Sequence, residues 1–341
     1  MNPRKLLTEA LNGEEPRITP LSIYSWMMEE AEGDWEGLLD QGLGLCQHRD
    51  VVQYVEHGVE STFEERKEGG DRYVSYRKDT PVGDIEKVEK NGWRYRNWIE
   101  EPGDYEVMQW ITEHTELVTK YEDFHRSEEA IGESGLTVVT GSRTPAMSIM
   151  WDWTGPQKFA LDLAREVPQL FQLYEERKKV FREETELIAK GPGRFVKWLE
   201  NLTIDMLGPD RYRDLLLPIY EECIPLLREA EKRVMVHYDG QLEVIADDIA
   251  QAPFHIVESL TEPPEGDMTY DRCRRLWPDK VLWGNINVAL YSKPEEELRQ
   301  AVVAKRERAG KKGFAFEISE ELPHNWEESI PVVLDTLREL S

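Results

Sequence analysis

RVMVHYDG (233–240), LEVIADDIAQ (242–251) and FHIVESLTE (254–262) follow one another along the chain and set its architecture. The first and third are short, nearly continuous apolar runs, the pattern of parallel strands buried on both faces, and the middle one has helical spacing. Working outward, the same alternation continues. Strands are expected at RITPLSIYS (17–25), LTVVTGS (136–142), FVKWLENL (195–202), VLWGNINV (281–288) and GFAFEISE (313–320). Helices are expected over 160–190, 211–232, 269–277, 294–310 and 325–340, with Gly191 and Gly310 placed as C-caps and Asn325 as an N-cap. Seven or so β-α units fit an α/β fold of the (β/α)8 TIM-barrel type. A doubly wound sheet fits less well, since no G-x-G-x-x-G turn follows the first strand. Residues 51–101 depart from the pattern. They read as an antiparallel meander turning at Gly69-Gly70 and Asn91-Gly92, an elaboration inserted within a single barrel domain spanning 1–341.

The 341 residues carry 42 Lys and Arg against 68 Asp and Glu, a net charge of −26. Phosphate backbones and anionic membranes attract proteins through Lys and Arg, so neither nucleic acid nor a membrane is an expected partner. A small molecule is, and a homo-oligomer is compatible with the chain. Cys46, Cys223 and Cys273 are scattered and form no CxxC pair, which argues against a disulfide framework and against a thiolate zinc site. No apolar run reaches membrane-spanning length and the N-terminus lacks a signal-peptide core, so a cytoplasmic location is expected.

In such barrels the chemistry sits at the carboxyl ends of the strands. The polar residues there are Ser25, Ser142 with Arg143, Glu200 with Asn201, His237 with Asp239, Glu258 with Ser259, Asn285 with Asn287, and Glu317 with Ser319 and Glu320. His237 and Asp239, two apart, can face the mouth together, as metal ligands or as an imidazole held in one tautomer by a carboxylate. A carboxylate from the last strand, Glu317 first and Glu320 next, would complete a nitrogen and oxygen ligand set for zinc with a position left open for substrate. Gly240 and Gly284 permit close backbone approach. Glu200 and Asn285 are further catalytic candidates, and Ser142 and Asn287 are candidates for cofactor binding. His255 lies within an apolar strand and reads as a core histidine. Trp151 and Trp153 can wall an apolar pocket or simply pack.

Taken together, residues 200–242, 254–286 and 313–330, with GSRTPAMSIMW (141–151) before them, resemble the uroporphyrinogen decarboxylase superfamily. The resemblance implies a (β/α)8 barrel and one of two activities. One branch decarboxylates the acetate arms of uroporphyrinogen without a cofactor. The other comprises zinc-dependent methyltransferases that exchange a methyl group with a corrinoid protein. The first branch is expected to carry M-R-Q-A-G-R-Y after its first strand and an F-S-D-I-L stretch. This chain has SIYSWMMEEAEG (22–33) and GLGLCQHRDVV (42–52) at those places, so Glu29, Glu30 and Glu32 stand where a polycarboxylate needs arginines. The second branch carries H-x-C-G and a later cysteine as zinc ligands. Here His237 matches the first ligand, Asp239 stands at the second, and Glu317 and Glu320 lie near the third. Carboxylates in place of thiolates make a harder site, suited to polarising an oxygen. The resemblance therefore implies methyl transfer between an oxygen-bearing, for example methoxylated, substrate and a corrinoid protein, with His237 and Asp239 binding zinc or acting as an acid/base pair. The alternatives are decarboxylation of the uroporphyrinogen type and a ligand-binding barrel without catalysis.

Overall fold

A computed structural model of the chain describes residues 1–341. Eight parallel strands close into a barrel: β1 (Leu21–Tyr24), β2 (Gly44–Asp50), β3 (Gly135–Gly141), β4 (Phe195–Trp198), β5 (Arg233–His237), β6 (Ile256–Leu260), β7 (Val281–Asn285) and β8 (Phe314–Glu317). They neighbour one another in chain order, and β1 closes the ring against β8. Every residue of β1, β3, β4, β6, β7 and β8 is buried, because side chains on one face fill the barrel and those on the other meet the helical layer.

Seven of these strands coincide with apolar runs in the sequence. The eighth, β2, does not. Its residues GLCQHRD have only Leu45 and Cys46 as apolar side chains, and its outer half is partly exposed. Continuous pairing with β1 and β3 makes it a strand, and tertiary pairing of this kind leaves little trace in composition. The helix expected over 160–190 is two, Pro156–Ala164 and Pro168–Lys190, since Pro168 cannot continue the hydrogen-bond ladder. The 211–232 region opens with a wide turn at Tyr212–Leu216 before the helix Leu217–Glu229. Helix Glu295–Ala309 has three glutamates in its first turn and Arg306 and Arg308 in its last, complementing its dipole, and ends on Gly310 at φ +75°.

The chain divides into two compact units. Met1–Val51, Lys120–Gly141 and Ile188–Ser341 hold the barrel; Val52–Thr119 and Ser142–Leu187 form the second unit. Within the second, Glu60–Glu68, Asp71–Thr80, Gly83–Lys90 and Trp93–Arg96 make a four-stranded antiparallel sheet. Its turns fall at Gly69-Gly70 and Asn91-Gly92, where all four residues have positive φ, as a two-residue hairpin turn of mirror-image type requires. The meander starts later than the sequence suggests. Val52–Glu56 leaves it and pairs with Thr115–Thr119 in a separate two-stranded sheet.

Candidate functional site

The carboxyl ends of β1, β4, β5, β6 and β8 bring one imidazole, one amine, one phenol and several carboxylates together. His237 ends β5 and pairs in register with Glu258 on β6, which places the two side chains on the same side of neighbouring strands. The His237 Nδ1 to Glu258 Oε2 distance is 2.8 Å, and the Nε2 to Glu320 Oε1 distance is 3.0 Å. Lys197 from β4 donates to Glu258 Oε1 at 2.7 Å and to the Tyr24 hydroxyl at 3.1 Å, and Tyr24 itself donates to Glu258. Ser259 donates to Glu320, and Asn285 donates to Ser259 Oγ at 2.9 Å and to Thr261 Oγ1 at 3.1 Å. The chain Asn285, Ser259, Glu320, His237, Glu258 and Lys197 thus forms one connected network.

Burial decides the charge states. Lys197 and Glu258 are 2% and 1% exposed. Burial alone would push Glu258 up, but the Lys197 ammonium and the His237 ring outweigh it and hold the carboxyl below the ordinary range. Burial would likewise lower His237, yet the Glu258 charge overrides it and raises the imidazole to about 9. Glu317 is the opposite case. It is fully buried, neither carboxyl oxygen has a hydrogen-bond partner of good geometry, and Tyr24 has already given its one proton to Glu258. Burial first and the Glu258 charge second push Glu317 well above the ordinary range, so it keeps its proton. His48 on β2, with its ring 5.0 Å from that of Tyr24, is pushed down to about 3 by burial and by Lys197, and stays neutral.

His237, Asp239 and Glu320 each offer a ligand atom within 4.8 Å of the others. Donors on a tetrahedral zinc, with bonds of about 2.1 Å, stand about 3.4 Å apart, so the three groups would close by up to about 1.4 Å to share one ion. The fit extends to the surroundings, since the Glu258 carboxylate at Nδ1 leaves Nε2 as the atom that would face a metal, as metal-binding histidines are normally held. The carboxylate that joins His237 and Asp239 in this cluster is Glu320; Glu317, preferred from the sequence, is not among the three. β8 ends at Glu317 with that side chain turned into the barrel, and the loop beyond carries Glu320 to His237. Asp239 likewise lies just past the end of β5, half-buried, with burial raising its carboxyl.

The other expected residues fall elsewhere. Asn287 is drawn into a separate buried network, where Lys305 donates to its Oδ1 at 2.6 Å and also pairs with Glu262 at 2.8 Å. Ser142 belongs to the second unit and is held there by Glu184 and by Tyr54 at 3.3 Å. Glu200 is fully buried and accepts from Tyr220 at 3.1 Å, beside Tyr238 and Tyr212. Trp151, without Trp153, lines a cavity of about 770 Å³ in the second unit together with Trp93 and Tyr95. His255 is neutral, pushed down to about 4 by burial and neighbouring cations, and accepts from the Val234 amide at 3.1 Å. The two glycines are both required. A Cβ at Gly240 would stand 2.2 Å from Thr203, and one at Gly284 would stand 2.3 Å from the Tyr270 hydroxyl. Lys197 and Tyr24 were not among the expected site residues. The legible signal for Lys197 was an ammonium inside the otherwise apolar run FVKW, which must find a buried anion.

A closed parallel barrel with a histidine and carboxylates gathered at the carboxyl ends of its strands defines the class, a (β/α)8 barrel built on the usual enzyme plan. The family follows from the sequence: the uroporphyrinogen decarboxylase (URO-D) family model matches residues 91–339, and the chain belongs to that family. Membership supports an enzyme. Among solved structures, a B12-independent methionine synthase from Shewanella sp. W3-18-1, in complex with selenomethionine, is similar at 12% identity and TM-score 0.47, covering 95% of this chain and 97% of that one. A glycoside hydrolase family 5 enzyme from Prevotella bryantii B14 is similar at 11% identity and TM-score 0.42, covering 97% of each chain. No curated protein matches the sequence. No helix is long and apolar enough to cross a membrane.

Proposed function

We propose that the chain is a metal-assisted methyltransferase of the URO-D family, with His237, Asp239 and Glu320 holding a zinc ion and a methoxylated small molecule as methyl donor to a corrinoid carried by a partner protein. The observation that carries this reading is the meeting of three ligand atoms within 4.8 Å, with the histidine fixed from behind by Glu258. Bound there, the metal would act as a Lewis acid on a substrate oxygen. Lys197 and Tyr24 hold Glu258 in place, Glu258 orients the His237 ring, and Ser259 orients Glu320. Glu317, kept protonated by burial inside the barrel, adds no negative charge beneath these groups, and the oxygen that loses the methyl group takes its proton from solvent. The products are then the free hydroxyl compound and the methylated corrinoid.

Decarboxylation of the uroporphyrinogen type is the second reading, favoured by the family itself. Charge counts against it. Around His237 stand Asp239, Glu258, Glu317 and Glu320, with Lys197 as the cation, and Lys197 is already committed to Glu258. A substrate bearing several carboxylates finds no free guanidinium among these groups. Assay of the purified protein with cob(I)alamin and a methoxybenzoate, in parallel with uroporphyrinogen III, separates the two. Zinc-dependent appearance of methylcobalamin supports the first reading, and metal-independent loss of carbon dioxide from the porphyrinogen replaces it with the second.

A further inference from the structure

The base of the barrel, at the amino ends of β5 and β7, holds a cavity of about 540 Å³ lined by Arg233, Arg274, Lys280, Lys311 and Lys312, against Asp279 and Glu307. A sixth cation there, Arg308, is already paired with Glu262 at 2.7 Å. In a chain with 68 acidic and 42 basic residues, cations are expected to find carboxylates. Those deepest here do not. Arg274 spends its donors on backbone carbonyls, those of Ala309, Lys280, Lys312 and Gly313, at 2.6 to 3.0 Å. Lys280, buried, donates to the carbonyls of Ala252 and Phe254 at 2.6 and 2.9 Å. Arg233 makes no ion pair, and its buried Nε has no hydrogen-bond partner. Leaving a buried guanidinium donor unmatched is costly, and an anion is the partner that removes the cost.

The donor inventory describes the ligand. Arg233 offers its whole planar fork, Arg274 has one N–H left of five, Lys280 has one of three, and Lys311 and Lys312 are exposed at the rim. A fork beside several point charges matches tetrahedral oxyanions bearing more than one negative charge. The positive field reaches further, since His255 is kept neutral by burial and then by Arg233, Arg228, Lys280 and Arg194. A chain of net charge −26 repels long polyanions, and the cations are confined to one concavity, so the ligand is small. We infer that the base of the barrel binds a small polyphosphate group, of pyrophosphate size, through Arg233, Arg274 and Lys280, at the end of β5 opposite His237.

The test is calorimetric titration of pyrophosphate, and separately of inorganic phosphate, into the whole protein in EDTA, so that no metal at the barrel mouth contributes. Saturable one-to-one binding of pyrophosphate is expected. Removing a charge-assisted contact worth about 1.5–3 kcal/mol, Arg233→Met should weaken it at least about tenfold, and inorganic phosphate should bind more weakly than pyrophosphate by a similar factor. Lys178→Met, on a helix of the second unit, should leave binding unchanged. If Arg233→Met does not fold, the exposed pair Lys311→Ala and Lys312→Ala serves instead, with a loss of about threefold or more expected for two rim charges. The proposal is overturned by the absence of saturable pyrophosphate binding up to about 10 mM, a dissociation constant worth under about 3 kcal/mol. It is equally overturned by binding that neither substitution weakens, or by phosphate binding as tightly as pyrophosphate.

Discussion

His237 and Arg233 end the same five-residue strand, four steps of about 3.3 Å apart, and their surroundings are electrostatic opposites. At the carboxyl end, carboxylates crowd one imidazole and one ammonium, and hydrogen bonds connect nearly all of them. At the amino end, cations gather with backbone carbonyls in place of carboxylates, and an arginine nitrogen is left without any partner. A chain with an acidic excess would spread carboxylates to both ends if charge pairing alone set their positions. The contrast is what the two proposals require, a cation held above and an anion held below.

The largest expected effect comes from breaking the upper cluster at its buried ammonium. Lys197→Met leaves Glu258 charged in a dry site with its main counter-ion gone, and should cost about 3–5 kcal/mol, read as a fall in the urea midpoint. A loss under about 1 kcal/mol would mean that Glu258 is not held as an anion. Next comes Glu258→Gln, which leaves all three ligands in place but no longer fixes the His237 ring. Zinc affinity should fall about 10- to 100-fold in a competition titration with a chromophoric chelator. Unchanged affinity would remove Glu258 from the account.

How far the sequence went explains where such effects could be foreseen. Nearly continuous apolar runs announced seven barrel strands, and the pairs Gly69-Gly70 and Asn91-Gly92 announced the meander turns. β2 stayed hidden because Gln47, His48 and Arg49 occupy a strand held by its neighbours. His237 and Asp239 could be named because their spacing alone implies a shared direction. The preference between Glu317 and Glu320 could not be settled, because three residues of loop decide which carboxylate reaches Nε2 and which is swallowed by the barrel. Lys197, Tyr24 and Glu258 come from three strands distant in sequence, and only closure of the ring makes them neighbours. The base cluster is likewise assembled from β5, a helix end and the turn before β8.

A smaller effect follows from the His237 charge in metal-free protein. Its folded value of about 9 lies above the ordinary 6.5, so its contribution to stability is complete below pH 6.5 and is lost as pH rises through 9. The difference in melting temperature between wild type and His237→Gln, measured in EDTA, should shrink across that interval. A difference that grows with pH would reverse the sign of the interaction with Glu258. The smallest effect is that of Glu317→Gln. Because the acid is already neutral, the amide should change stability by no more than about 1 kcal/mol. A large gain in stability would show that Glu317 had been an anion repelling Glu258.

Metal content decides whether the upper cluster is a metal site. Wild-type protein loaded with zinc and then dialysed should retain one ion per chain by inductively coupled plasma analysis, while His237→Ala and Glu320→Ala, still folded by circular dichroism, retain little. Wild type that keeps no zinc, or variants that keep as much as wild type, would contradict it.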